Sequence, residues 1–228
     1  MMVHMEDAYK EHRGNLLAEI AREVAETGKY IGREALDPAT CAAMMAVPRH
    51  EFVPPDLRPY AYENRPLPIG HDQTISQPYI VAIMTDMLRL NPDSRVLEVG
   101  TGCGYQAAVL AEIAARVITL ERVAPLADDA RDRLARLGYD NVTVLHADGH
   151  KGWPAEAPYD GIIVTAAAKK TPEPLVAQLR AGGRMVIPVG RRGWTQSLIL
   201  LEKASDGAVT EGCHLPVAFV PLVESLRN

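Results

Sequence analysis

The chain has 228 residues, of which 47% are hydrophobic and 23% are charged, a composition that suits one large α/β domain or one domain with an extension. Its net charge of −5 gives no support to a nucleic-acid partner held mainly through phosphate contacts. Three widely spaced cysteines argue against a disulfide framework and a zinc site. We expect neither a signal peptide nor a membrane span, and we predict a cytoplasmic protein.

Two helices are predicted at the start of the chain. Apolar residues recur at helical spacing and indicate an amphipathic helix that ends near Gly28; they are Leu16, Leu17, Ile20, Ala21 and Val24. Asp37 is expected to cap a second helix, with Pro38 at its first position and Met45 near its end.

Residues 47–70 are rich in proline and are predicted to form a loop-rich, semi-rigid segment. Proline can neither continue a helix nor donate to a sheet ladder, and the segment holds Pro48, Pro54, Pro55, Pro59, Pro66 and Pro68. Its aromatic and apolar residues argue against disorder. A long irregular stretch in a compact domain usually has a function.

A polar run at residues 73–79 precedes the next predicted helix. The buried side of that helix is formed by Ile80, Val81, Ile83, Met84, Met87 and Leu88. Thr74, Ser76 and Gln77 would lie near its first N–H groups. These side chains could cap the helix. Alternatively, they could form a lip that binds a carboxylate, because helix N-termini with hydroxyl donors favour anions.

A glycine turn follows an apolar run at residues 95–99. Gly100, Gly102 and Gly104 stand at alternate positions, and an alanine-rich segment of helical character follows at 105–115. Strand, glycine turn and helix together are typical of a pocket for a nucleotide-type ligand. The third glycine of the dinucleotide fingerprint would stand at Tyr105, so the spacing argues against a dinucleotide.

Three acids stand at the ends of strand-like runs. Glu98 precedes the first glycine of the turn, and Glu121 closes the next apolar run, where a carboxylate can accept both hydroxyls of a ribose. Asp148 follows a strand predicted at 141–146 and could accept from an adenine amino group, although an Asp-Gly turn with Gly149 is the alternative. This pattern resembles the S-adenosylmethionine pocket of Rossmann-like methyltransferases.

The rest of the chain alternates between strands and helices. Helices are predicted at 122–137 and from Thr171 to Gly182, and strands at 159–164, 184–189, 196–201 and 217–222. The order predicts an α/β fold, Rossmann-like and doubly wound, with a mostly parallel sheet of the seven-stranded type and an N-terminal helical extension. We divide it into residues 1–78, which hold the helices and the lip, and residues 79–228, which hold the methyltransferase core.

From about residue 40 to 222 the sequence resembles the protein-L-isoaspartate O-methyltransferases. The similarity lies in the stretches 47–54, 66–70, 73–78, 141–149, 152–154, 157–160, 165–168, 182–190 and 219–222. The block 73–78 discriminates, because most methyltransferases share only the glycine turn. Three residues depart from the family pattern: Asp72 stands where glycine is frequent, Cys103 where serine is common, and Ala218 where bacterial members often carry arginine.

The resemblance implies methyl transfer from S-adenosylmethionine to the α-carboxylate of L-isoaspartyl and D-aspartyl residues in damaged proteins. The products are S-adenosylhomocysteine and a methyl ester that closes to a succinimide. It also implies that Ser76 orients the carboxylate. The cofactor-binding residues expected are Ser76, Gln77, Pro78, Tyr79, Glu98, Gly100, Gly102, Glu121, Arg122, Asp148 and Gly149. The residues expected to bind substrate are Thr74, Ile75, Ser76, Val220 and Leu222. We expect a monomer with no metal, nucleic-acid or membrane partner.

The predicted reaction needs no general base, because a carboxylate with a pKa of about 3.5 is already ionised at neutral pH. Two alternatives remain open: a methyltransferase with another acceptor and a non-catalytic relative. A base-directed enzyme would be expected to carry a polar and aromatic tetrapeptide where residues 165–168 read Thr-Ala-Ala-Ala. A non-catalytic relative would require a damaged cofactor site. Cys103 is interpreted as a small buried thiol and Trp153 as a packing residue.

Overall fold

The computed structural model describes residues 2–191 and 195–222, with side chains described from Tyr9 onward. Within the described residues, the large sheet has seven strands: β3 (Arg95–Val99), β4 (Arg116–Glu121), β5 (Val142–His146), β6 (Tyr159–Val164), β7 (Leu179–Val189), β8 (Gln196–Lys203) and β9 (Val209–Val217). Their order across the sheet is β5-β4-β3-β6-β7-β8-β9. A separate antiparallel hairpin consists of β1 (Leu67–Gly70) and β2 (Gln73–Ile75).

Strands β3 to β7 pair in parallel, whereas β8 and β9 pair antiparallel at one edge. The parallel strands are covered on both faces, which explains why β3, β4 and β6 are continuous apolar runs rather than alternating ones. The predicted α/β class and mostly parallel seven-stranded sheet are confirmed.

Six α-helices accompany the sheet in the described part of the chain. They are α1 (Met2–Ile31), α2 (Pro38–Ala46), α3 (Pro78–Met87), α4 (Tyr105–Ala111), α5 (Ala124–Arg136) and α6 (Glu173–Gln178). The Asp37 cap is confirmed, since its carboxylate accepts from Ala39 N at 2.9 Å. Helix α1 continues past Gly28, so its predicted end was three residues short. Leu16, Ile20 and Val24 of α1 belong to the hydrophobic core that α3 and α4 share. The division of the chain into residues 1–78 and 79–228 stays a prediction.

Two predicted element bounds were wrong. The helix after Thr171 ends at Gln178 rather than at Gly182, because the chain pairs with β6 from Leu179 onward and becomes β7. The last strand was predicted at 217–222, yet β9 ends at Val217, where its partner strand β8 begins with Gln196. Beyond β9, Pro221 forms an isolated bridge with Ala167.

The order of the strands fixes where a ligand can bind. The chain goes from β3 outward to β4 and β5, then returns to the other side of β3 with β6. At such a switch point the connections leave β3 and its neighbour in opposite directions, which opens a crevice above their carboxyl ends. In the part of the chain that is described, no helix is long and apolar enough to cross a membrane.

Candidate active site

One cavity lies at the carboxyl ends of β3, β4 and β6, at this switch point. It contains about 910 Å³ of empty space, including its open mouth. The predicted site residues that line it are Thr74, Ile75, Ser76, Gly100, Gly102, Glu121, Arg122, Gly149, Val220 and Leu222. The structure therefore brings three distant segments together: the lip at the end of β2, the glycine turn after β3 and the segment that follows β9.

The glycine turn is tied to the neighbouring strand at its first residue. Gly100 has a φ of +101°, and a Cβ at this position would lie 2.3 Å from Thr165 Oγ1. The Thr165 hydroxyl donates to the carbonyl oxygen of Gly100 at 2.6 Å and to that of Val99 at 3.1 Å. Only glycine combines this conformation with this close approach. The turn therefore holds its backbone near the cavity floor and leaves the space above it open.

The Glu121 carboxylate is fixed by backbone donors at the cavity wall. Its Oε2 accepts from Gly102 N, and its Oε1 accepts from Arg122 N and Val123 N, each at 2.8 Å. A carboxylate offers about four acceptor positions, so these bonds orient the group and leave capacity for a ligand hydroxyl. The geometry fits the predicted contact between Glu121 and a ribose.

Glu98 lies beneath the turn and is not among the cavity-lining residues. It is fully buried, and neither carboxylate oxygen has a hydrogen-bond partner in the described chain. Burial raises the pKa of Glu98 to about 8, and the Thr119 hydroxyl opposes the rise. That hydroxyl lies 2.6 Å from the Thr101 hydroxyl, with which it bonds. Because Glu98 does not line the cavity, its predicted contact with the cofactor stays a prediction.

The lip presents hydroxyl groups to the same cavity. Ile75 is buried and pairs with Leu67 in the hairpin, which leaves its neighbours Thr74 and Ser76 at the cavity. Gln77 is the residue that precedes α3, and its side chain does not cap the helix; the first-turn N–H of Tyr79 is bonded by the distant Asn64 instead. The helix-cap interpretation of the polar run is therefore wrong. No hydrogen bond is found for the Thr74 or Ser76 hydroxyl within the described residues, so both can serve a ligand.

Residues distant in sequence hold the lip in place. Arg49 Nη2 donates to the Ser76 carbonyl at 2.8 Å, and Asn64 Oδ1 accepts from Tyr79 N at 3.0 Å. No spacing pattern marks either residue as part of a site. Arg49 falls within the family-like stretch 47–54, and that resemblance is the one feature that could have singled it out.

The third wall is the segment 219–222. Ala167 N donates to the Val220 carbonyl, and Leu222 N donates to the Ala167 carbonyl, both at 2.8 Å. The Gln196 amide holds the preceding residue from both sides: it accepts from Phe219 N at 2.6 Å and donates to Phe219 O at 3.1 Å. Gln196 was not recognised from the sequence, because a single glutamine at the start of a strand carries no distinctive pattern.

Five predicted cofactor-binding residues do not line the cavity: Gln77, Pro78, Tyr79, Glu98 and Asp148. The Tyr79 hydroxyl lies 2.6 Å from Thr27 Oγ1 of α1, and Pro78 is a buried first residue of α3. Asp148 accepts from His150 N at 3.1 Å, which is the turn that the sequence offered as its alternative role. The assignment of these five residues to the cofactor stays a prediction.

Several lining residues were not predicted to belong to the site. They are Gln73, Val81, Val99, Thr101, Cys103, Tyr105, Gln106, Leu120, Val123, Ala147, Thr165, Ala166 and Pro221. Burial raises the pKa of the Cys103 thiol, which supports its interpretation as a small buried residue rather than a nucleophile. Within the described residues, no group of three or more side chains could hold a metal ion.

The chain is similar over most of its length to proteins of one known family. The sequence model of the family "Protein-L-isoaspartate(D-aspartate) O-methyltransferase (PCMT)" matches residues 29–227. A relative from Polaromonas sp. (strain JS666), named protein-L-isoaspartate O-methyltransferase 2, is 59% identical over 207 residues, covering 91% of this chain and 98% of the relative.

Two solved structures share the fold over 92% of this chain. One, named protein-L-isoaspartate O-methyltransferase, has a TM-score of 0.77 at 28% identity, and the match covers 65% of that longer chain. The other comes from Plasmodium falciparum, is described as a complex with S-adenosyl-L-homocysteine, and has a TM-score of 0.74 at 26% identity over 99% of its length.

Proposed function

The chain belongs to the protein-L-isoaspartate(D-aspartate) O-methyltransferase family, and we propose that the Ser76 hydroxyl binds the substrate carboxylate that is methylated. The substrate group is the α-carboxylate of L-isoaspartyl and D-aspartyl residues, and the methyl donor is S-adenosylmethionine. One observation carries the proposal: the unbonded hydroxyls of the lip and the fixed Glu121 carboxylate face one cavity. Acceptor and donor sites therefore adjoin.

S-adenosylmethionine, when bound, supplies an electrophilic methyl group on a sulfonium. The glycine turn and Glu121 would hold the cofactor, with Arg122 and Gly149 at the same wall. Ser76 would donate a hydrogen bond to one carboxylate oxygen and so direct the other oxygen toward the methyl group. Catalysis then rests on orientation and exclusion of water, because the carboxylate is already the reactive anion. No residue has to remove a proton.

The ester formed in this way would close spontaneously to a succinimide and hydrolyse in part to normal aspartate, so the enzyme repairs damaged proteins. The substrate backbone would lie between Thr74 and Ile75 of the lip and Val220 and Leu222 of the third wall. Both segments line the cavity and both offer extended backbone. The Val220 carbonyl and the Leu222 N–H are already bonded to Ala167, so other backbone groups must serve the peptide. The monomeric state and the cytoplasmic location stay predictions.

Radiolabelled methyl transfer tests the proposal directly. An isoaspartyl peptide and its normal aspartyl twin would be incubated with the enzyme and labelled S-adenosylmethionine. We expect base-labile label on the isoaspartyl peptide and background label on its twin, because only the former presents an α-carboxylate on a side branch. Equal labelling of the two peptides, or none on the isoaspartyl one, would contradict the assignment.

A further inference from the structure

Arg49 is a fully buried cation with no anionic partner in the described chain. It begins a short 3-10 turn, Arg49–Phe52, and has no solvent exposure. Arginine is almost never fully buried unless it is paired with an acid. No ion pair to Arg49 is found among the side chains that are described, those of residues 9–191 and 195–222. Burial alone lowers the pKa of its guanidinium, so this position carries a cost that needs an explanation.

The guanidinium connects the two halves of the candidate site. Its Nη2 donates to the Ser76 carbonyl at 2.8 Å, and its Nε donates to the Ala61 carbonyl at 2.9 Å. Its Cζ lies 4.8 Å from the centre of the Tyr105 ring. Tyr105 is the buried first residue of α4, directly after the glycine turn, and it lines the cavity. One planar group thus contacts the backbone of the lip and the ring at the cavity floor.

The planar shape matters because both contacts depend on it. Two donors in a fixed plane set the angle between the carbonyls of Ala61 and Ser76, and the flat face stacks on an aromatic ring. In the described chain, the bond from Arg49 is the one side-chain hydrogen bond found to Ser76, and the Ser76 hydroxyl itself makes none. Its position relative to the glycine turn therefore depends on the carbonyl bond that Arg49 provides.

We propose that Arg49 is a positioning residue, which fixes the Ser76 hydroxyl relative to the floor of the cofactor cavity and thereby aligns the substrate carboxylate with the methyl group. The inference rests on the proposed role of Ser76. It predicts that the reaction rate depends on the planar shape of the Arg49 guanidinium more than on its positive charge. A lysine at this position keeps the charge but loses the planar fork, so the two contributions can be separated.

The test compares Arg49→Lys and Arg49→Met with wild type in the isoaspartyl-peptide assay. Rates are expressed per site that binds S-adenosylhomocysteine, so that unfolded protein does not count. We expect kcat to fall at least about tenfold in both variants, the scale of a misplaced catalytic group. The Kd for S-adenosylhomocysteine should stay within about threefold. The matched control is Arg184→Lys, since Arg184 also donates to a backbone carbonyl, that of Met87, but lies outside the cavity lining; its kcat should be unchanged.

A double variant separates positioning from a merely structural role. If Arg49 acts through Ser76, adding Arg49→Lys to Ser76→Ala should slow the enzyme no further, because the hydroxyl that Arg49 positions is already gone. Additive losses would overturn the proposal, as would an Arg49→Lys enzyme with wild-type kcat. Failure of both Arg49 variants to fold would also overturn it, since Arg49 would then serve the fold. An inactive wild type would instead contradict the proposed function itself.

Discussion

The glycine turn and the lip face one cavity but are built in different ways. The turn is held by neighbouring strands: Thr165 bonds the Gly100 carbonyl, and Glu121 bonds Gly102 N. The lip is held by residues from irregular segments, with Arg49 on the Ser76 carbonyl and Asn64 on Tyr79 N. The cofactor half is thus part of the sheet, whereas the substrate half is attached to it.

Because of this difference, we expect substitutions at the turn and at the lip to cause different defects. Changes beneath the turn should alter the stability of the core, because the turn cannot move without its strands. Changes at the lip should alter catalysis and leave cofactor binding intact, because the lip contributes no strand to the large sheet. Each prediction below tests one side of this distinction.

The largest effect is expected from Ser76→Ala. Loss of the hydroxyl should lower kcat about 100-fold, the scale of removing one preorganised hydrogen-bond donor. The affinity for S-adenosylhomocysteine, measured by calorimetry, should not change. Ser197→Ala is the control, because Ser197 is a half-buried serine of β8 that does not line the cavity. Unchanged turnover in Ser76→Ala would remove Ser76 from the mechanism.

A pH-dependent effect on stability is expected beneath the turn. The pKa of Glu98 is raised to about 8 by burial, so the folded protein holds a proton that the unfolded chain has released above about pH 4.5. The contribution of this group to the free energy of unfolding is therefore full below pH 4.5 and is lost as the pH rises toward 8. Glu98→Gln cannot titrate. Between pH 5 and pH 7, the free energy of unfolding of the variant should therefore rise by about 3 kcal/mol relative to that of wild type. Each pH unit between the two pKa values contributes about 1.4 kcal/mol.

Urea unfolding of the protein without cofactor measures this difference. Glu211→Gln serves as the control, because Glu211 is an exposed acid of β9 and its removal should leave the pH dependence as in wild type. A constant difference between Glu98→Gln and wild type across this pH range would show that Glu98 is ionised throughout. The turn would then be held by a buried charge rather than by a neutral acid.

The sequence predicted the turn better than its surroundings, for a physical reason. The glycines, Glu98 and Glu121 stand within or next to strands, and the parallel sheet places the ends of those strands together whatever the loops do. Arg49, Asn64 and Gln196 contact the site from segments with no period and no spacing. Their contribution depends on tertiary packing, which local patterns do not encode. The lip itself could be identified only because residues 73–78 resemble a known family.

Observed contacts explain one wrong element bound and bear on two site assignments that stay predictions. Tyr79 was assigned to the cofactor because it follows the lip directly, but its hydroxyl bonds Thr27 on the N-terminal helix. Asp148 was assigned by analogy with Glu98 and Glu121, yet its carboxylate is used in a turn. The helix predicted to reach Gly182 stops at Gln178, because sheet pairing with Tyr159 competes from Leu179 onward. For Tyr79 and for the helix, a long-range contact competes with sequence adjacency or helical periodicity, whereas the Asp148 turn is a local contact.

The smallest effect, expected from Gln196→Leu, tests whether the third wall behaves like the lip or like the turn. The Gln196 amide holds both the N–H and the carbonyl of Phe219, so its loss should loosen the segment 219–222 without touching Ser76. We expect the KM for the isoaspartyl peptide to rise about three- to tenfold, equivalent to losing about 1 kcal/mol of hydrogen bonding, with kcat nearly unchanged.

Gln178→Leu is a matched control for this variant. Gln178 is similarly buried and also clamps backbone, through Trp153 N and Lys151 O, each at 2.7 Å. Both variants should lose stability, but only Gln196→Leu should raise KM, because residues 151–153 do not line the cavity. An equal rise in KM for both would attribute the effect to general loosening of the sheet. A fall in kcat confined to Gln196→Leu would instead place the third wall with the lip, as part of the alignment of the reacting groups.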